Sequence, residues 1–74
     1  MIPTIDVELT GERIKMLMDE RGMSVKDVRE KLGDGSLVAI YKWINGQRLP
    51  SIDNLVILSR VFGVPIEKIL VIKE

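Results

Sequence analysis

Apolar and polar positions change their period several times along the chain, and each change marks an element. From Thr4 to Leu9, apolar Ile5, Val7 and Leu9 alternate with charged Asp6 and Glu8, a short strand pattern. Thr10 is a suitable N-cap, and from Gly11 to Arg21 the spacing becomes helical, with Ile14, Leu17 and Met18 on one face. Gly22 ends that helix. Ser24 caps a second helix running to Leu32, in which Val28 and Leu32 point inward, and Gly33-Asp34-Gly35 forms the turn that follows. A third helix runs from Ser36, its N-cap, to Asn45, and Asn45-Gly46 closes it where a left-handed residue is needed. Ile40 and Trp43 take its inner face. Ser51 caps a fourth helix with Leu55, Leu58, Ser59 and Phe62 as its core stripe, and Gly63 stops it. Val64-Pro65 opens a last short helix ending near Leu70, and Val71-Ile72-Lys73-Glu74 reads as a second short strand.

Two short helices separated by so tight a turn make a helix-turn-helix over residues 24–45, within a single domain spanning 1–74. In that motif the second helix, here Ser36 to Asn45, is the one offered to the DNA major groove. The fold class is therefore all-α, with a short pairing of the termini. A two-stranded pair is marginal alone, so Thr4 to Glu8 is expected to pair with Leu70 to Lys73, within one chain or between chains, and to pack on the helices. On the fourth helix Ile57 and Val61 lie four apart, away from the core stripe, and are expected to form a homodimer surface.

Composition narrows the chemistry. At 74 residues the chain sits near the lower limit for a core that holds without staples. It has no Cys and no His, which removes disulfides and the commonest metal ligands; no metal and no cofactor is expected. The lack of Cys accords with a reducing cytoplasm, the expected location. No basic-apolar leader and no apolar run of about 18 residues is present, so neither export nor a membrane partner is expected. Without a His or Cys nucleophile or base, a Gly-rich phosphate loop or a carboxylate pair, no enzyme is expected, nor a small-molecule ligand. The 11 basic and 11 acidic residues cancel, an unusual balance for a nucleic-acid binder. Between Ser24 and Pro50, however, five basic residues (Lys26, Arg29, Lys31, Lys42, Arg48) face three acidic ones (Asp27, Glu30, Asp34). That segment is slightly basic and the remainder correspondingly acidic.

The ordered set Arg13-Ile14-Lys15, Gly22-Met23-Ser24, Lys31-Leu32-Gly33, Lys42-Trp43, Asn45-Gly46, Pro50-Ser51, Asn54-Leu55 and Gly63-Val64 resembles the Cro/repressor-type (XRE, lambda-repressor-like) DNA-binding domain from about Thr10 to Leu70. The resemblance implies a compact five-helix domain and a transcriptional regulator, expected to be a repressor, that binds double-stranded operator DNA as a homodimer. It implies phosphate contacts from Asn45, flanked by Lys42, Gln47 and Arg48. The second helix adds the Ser24 hydroxyl, its terminal N–H groups and Lys26, and the third helix its cap, Ser36. Base readout falls to Leu37, Val38, Tyr41 and Lys42.

The chain departs from the family at several places. Val25 stands where a phosphate-binding Gln is common, and Leu37, Val38 and Ala39 stand where polar base-readers are usual. Leu37 and Val38 can offer only apolar contact, for example to a thymine methyl. The turn is one residue longer and lacks its apolar plug, so Leu37 either faces DNA or folds inward as the plug. Met18 and Ile44 occupy positions that in many relatives hold an Arg–Glu pair. They are expected to touch, so that Ile44→Glu would destabilise strongly. Two functions of different class follow: a sequence-specific regulator, or a protein-interaction module, antitoxin-like, that keeps the fold with weak or no base readout.

Overall fold

The computed structural model describes residues 2–33 and 36–74. The elements run β1 (Thr4–Ile5), α1 (Val7–Glu20), α2 (Val25–Leu32), α3 (Leu37–Ile44), α4 (Ile52–Phe62), a 3-10 turn (Ile66–Lys68) and β2 (Ile72–Lys73). This is a mostly helical domain of four α-helices and a small antiparallel sheet. The expected fifth helix is a single turn. Its bonds are of the tighter kind, Lys68 N–H to Pro65 O and Ile69 N–H to Ile66 O, both 2.9 Å, and Pro65 provides no side-chain cap to prolong it.

The termini pair as expected, but over a shorter span, with Thr4 opposite Lys73 and Ile5 opposite Ile72. The extended segment ends at Asp6, not at Leu9. Asp6 is the N-cap of α1, its Oδ1 accepting the Leu9 N–H at 2.9 Å, so the expected cap at Thr10 is wrong by four residues. The reason is a competing period: Val7, Thr10, Gly11, Ile14, Leu17 and Met18 all turn inward at helical spacing. Thr10, inside the helix and buried, has another task. Its Oγ1 accepts the Val71 N–H at 3.0 Å, while the Val71 carbonyl accepts the Asp6 N–H at 2.8 Å. The C-terminal segment is thereby held to the first turn of α1 through both of Val71's backbone groups.

The other helix ends follow the local signals. Ser24, Ser36 and Ser51 are the N-caps of α2, α3 and α4, and Gly63 ends α4 with a left-handed φ of 70°. The expected Gly33-Asp34-Gly35 turn extends beyond the described residues at Asp34 and Gly35; Gly33 is the C-cap of α2. One core joins Ile14, Leu17 and Met18 of α1, Val28 of α2, Ile40 and Trp43 of α3, Leu55, Leu58 and Phe62 of α4, and Ile69. Arg21 closes one side of it. Its Nε donates to the Phe62 carbonyl at 2.8 Å, Nη1 to the Leu17 carbonyl at 3.2 Å, and the guanidinium lies 5.6 Å from the Phe62 ring centre. It thus supplies a donor and a positive charge to the C-terminal end of α4.

Two apolar expectations need correction. Val61 packs against the core and Ile57 is half-buried; the exposed apolar residues of α4 are Ile52 and Val56. Helix α4 packs against the 3-10 turn as well as α2, so its buried arc is wider than a single stripe. Met18 is fully buried, whereas Ile44 is half-buried and lines an open groove with Glu12, Lys15, Met16, Asp19 and Glu20. A carboxylate at position 44 would reach water, which moderates the strong loss expected for Ile44→Glu, but it would lose the core contact of Ile44 and face Glu12, Asp19 and Glu20, with Lys15 already paired to Asp19.

Helix α1 packs chiefly on α3, and the approach is closest at Gly11. A Cβ there would lie 2.3 Å from the Trp43 carbonyl oxygen and 3.1 Å from the Gly46 nitrogen. Propensity alone favours Ala over Gly by about 1 kcal/mol within a helix. The overlap reverses that preference, because it is with backbone that cannot step aside. Gly11→Ala is expected to destabilise by about 1–3 kcal/mol, read as a lower urea midpoint at unchanged m. An unchanged or higher midpoint would show that α1 is not seated on α3 in this way.

Candidate nucleic-acid interface

The candidate surface is the outer face of α3 and the segment that leaves its C-terminal end. At the start, Ser36 Oγ accepts the Val38 N–H at 3.1 Å. At the end, the Asn45 N–H donates to the Tyr41 carbonyl at 2.9 Å, and Gly46, with φ of 73°, turns the chain. Gln47 and Arg48 then both donate backbone N–H groups to the Lys42 carbonyl, at 2.9 and 3.2 Å. The polar segment Gln47-Arg48 is thus fastened to the last turn of α3, and Lys42, Asn45, Gln47 and Arg48 come together as one exposed group.

Burial divides α3 cleanly. Ile40 and Trp43 are in the core and Ala39 packs against it, while Val38 is 62% exposed and Tyr41 50% exposed. Leu37 is half-buried but is not among the residues packed on the core; Leu32 and Ala39 are. Among the site residues, Ser24 and Lys26 stand apart: they belong to the first turn of α2, and no hydrogen bond among the described residues links them to the α3 face. Val25, beside them, packs on the core.

Electrostatics gives this surface more character than the neutral total suggests. Among the described residues the ion pairs are Lys15–Asp19 at 2.7 Å and Arg21–Glu20 at 3.4 Å, all on or just beyond α1. Arg13, also on α1, donates from Nη1 to the Lys68 carbonyl at 2.7 Å. Basic residues of α1 are thus engaged within the fold. Lys26, Arg29, Lys31, Lys42 and Arg48 have no carboxylate within 4.0 Å among the described residues, and of these the Lys31 charge acts at longer range on the Asp27 carboxylate. Among the described residues no cluster of side chains could hold a metal ion, and no helix is long and apolar enough to cross a membrane.

Residues 14–69 match a family model described as helix-turn-helix. The chain belongs to that family, in its Cro/repressor (XRE) type. No curated protein shows significant sequence similarity to it. Two solved structures share the fold. The crystal structure of the DNA-binding domain of BldD superposes with a TM-score of 0.73 at 22% identity, covering 89% of this chain and 94% of that one. The S. venezulae BldD DNA-binding domain gives 0.74 at 22% identity, covering 89% and 97%.

Within this helix-turn-helix, Asp27 is more than a surface charge. It forms a capping box with Ser24. Asp27 Oδ2 accepts the Ser24 N–H at 2.8 Å, and Ser24 Oγ accepts the Asp27 N–H at 3.2 Å. The signal was available in the spacing Ser24-x-x-Asp27, a variant of the familiar Ser/Thr-x-x-Glu box. The bonds to the Ser24 backbone and hydroxyl hold the Asp27 carboxyl below its usual pKa of 3.8. Because folding depresses this pKa, the associated stability is complete above the unfolded value and is lost as pH falls through the folded one. Melting temperatures of the wild type and Asp27→Asn should therefore differ at neutral pH and converge below pH 3.8. A gap that persists unchanged into acid would show that the carboxylate charge contributes nothing.

Proposed function

We propose that this chain is a sequence-specific transcriptional regulator that binds operator DNA as a homodimer, with α3 in the major groove and repression by occupancy as its mode. One observation carries the reading: Val38, Tyr41, Lys42, Asn45, Gln47 and Arg48 are all exposed, on the helix that this motif offers to DNA and the segment tied to its end, and the basic ones form no ion pair among the described residues. Occupying an operator excludes other proteins without any further part, and such a regulator works where the DNA is, in the cytoplasm. Lys42, Asn45, Gln47 and Arg48 supply phosphate contacts, with Ser36, Ser24 and Lys26 at the flanks. Val38, with Leu37 beside it, meets thymine methyls, and the Tyr41 hydroxyl and Lys42 add the polar part of the readout. In a dimer the two α3 helices would enter successive major grooves about 34 Å apart.

So few cations give a shallow salt dependence, about two to four counterions per protomer at ~0.9 each. In fluorescence anisotropy across a salt series, Arg48→Ala should weaken binding to all duplexes alike and flatten the slope by about 1. Val38→Gln should leave the slope alone and alter which sequence is preferred. A wild type that shows no saturable DNA binding even at low salt would overturn the reading. The exposed apolar surface of Val38 and Tyr41 then favours the second reading, an antitoxin-like protein-interaction module.

A further inference from the structure

The outer face of α1 is not purely polar. Leu9 and Met16 are both exposed on it, about 10 Å apart along the helix axis. Met16 borders two depressions. One, of about 400 Å³, has Met16 and Ile44 as its apolar surface, with Glu12, Lys15, Asp19 and Glu20 around them. The other, of about 310 Å³, is formed by Leu9, Met16 and Val71 with Glu12 and Arg13. Since Glu12 and Met16 line both, the two make one groove across α1, from the end of α3 to the C-terminal segment. Its charge is unbalanced. The first depression sets three carboxylates against one ammonium, and that ammonium, of Lys15, is held by Asp19 at 2.7 Å. In the second, Arg13 is turned to the Lys68 carbonyl at 2.7 Å. Glu20 meets Arg21 at 3.4 Å, but Glu12, at the junction, is exposed and forms no ion pair among the described residues.

We propose that this groove docks a basic amphipathic helix of a partner protein, with two apolar side chains seated on either side of Met16 and a Lys or Arg between them on Glu12. A helix lying along α1 presents such side chains seven residues apart, since seven residues also rise about 10 Å. Charge selects this occupant. An acidic helix would meet Glu12, Asp19 and Glu20, and a nucleic acid would bring phosphates to the same carboxylates. The apolar anchors supply most of the affinity, and the cation on Glu12 sets the register. None of Lys42, Asn45, Gln47 and Arg48 lines either depression, so the inference stands apart from the DNA-binding reading.

The test is fluorescence anisotropy of labelled peptides titrated with the full chain. The probe is an Ala-rich peptide of about 20 residues, long enough to be helical in water, with Leu at two positions seven apart and Lys midway. Two companions differ in one feature each: Glu replaces the midway Lys, or Ala replaces both Leu. The Lys–Leu peptide should bind saturably and about tenfold more tightly than either companion. Met16→Gln keeps the length of the side chain but makes it polar. It should weaken the complex about tenfold and leave binding of a DNA duplex unchanged. Glu12→Gln should weaken it about threefold at low salt and less as salt rises. Should Met16→Gln fail to fold by circular dichroism, Met16→Ala carries the same expectation, Ala being the best helix former. Absence of saturable peptide binding overturns the proposal. So does equal binding of either companion, or a complex that either substitution leaves at full strength, since the peptide then sits elsewhere, such as on Ile52 and Val56 of α4. Self-association of the chain alone in sedimentation, abolished by Met16→Gln, overturns it in favour of a second copy in the groove. The expected peptide pattern in a chain that binds no duplex supports the inference and overturns only the DNA-binding reading.

Discussion

Backbone-to-backbone approach between α1 and the end of α3, made possible at Gly11, is the constraint on which the rest of the structure depends. With no side chain at that position, α1 lies against the Trp43 carbonyl and the Gly46 nitrogen, where any Cβ would overlap. The fit is tight from the other side too, since a Cβ on Gly46 would lie 2.9 Å from the Glu8 Cα. The contact sits at the exit of α3, where Gly46 turns the chain and Gln47 and Arg48 bond back to Lys42. Seating α1 therefore also places the polar end of the candidate interface. The first turn of the same helix holds the C-terminal segment, through the Thr10 hydroxyl and the Asp6 N–H on either side of Val71. A single helix thus anchors both the exit of α3 and the tail. In a domain this small, with a core drawn from ten apolar side chains, such close approach supplements what burial alone can provide.

Charge is partitioned along the same lines. The basic side chains of α1 are spent on the fold: Arg21 on the end of α4, Arg13 on the end of the 3-10 turn, Lys15 on its neighbour Asp19. Those of α2, α3 and the following segment form no ion pair among the described residues. A chain with a formal charge of zero can therefore still present a slight positive field to an anion, because the Ser24–Pro50 segment carries five basic residues against three acidic ones. Of the carboxylates on the basic side, Asp27 serves the folding of α2.

Much of this was legible in the chain, and the illegible part shares one cause. Helices α2, α3 and α4 announce themselves locally, by Ser24, Ser36 and Ser51 at their starts and by Gly33, Asn45-Gly46 and Gly63 at their ends. The inward placing of Ile40 and Trp43 and the outward placing of Val38, Tyr41 and Lys42 follow from helical spacing alone. The start of α1 was misread because Ile5, Val7 and Leu9 also fit a strand, and the decisive facts are remote. Thr10 looks like a cap until Val71, 61 residues on, is found donating to it. Gly11 looks like a weak helix residue until Trp43 is beside it. Ile57 and Val61 look free until the packing around α4 is known. At the site, the spacing identified which side chains face outward but not how far Leu37 turns inward, nor that Gln47 and Arg48 are bonded to α3. The Gln47 and Arg48 bonds are local, to Lys42, but depend on the turn at Gly46 that the contact with α1 holds.

Sequence-specific regulation requires that an outward face that is largely apolar can read DNA. Selection of sites from random duplex DNA by the intact chain addresses this most directly. A regulator of the kind described should return an enriched motif, rich in thymine where Val38 and Tyr41 make contact. Dimeric binding should arrange it as an inverted repeat with half-site centres about 10 base pairs, or a multiple of that, apart. A folded protein that binds the library without enriching any sequence would contradict sequence-specific regulation, and would leave the exposed α3 face to a protein partner.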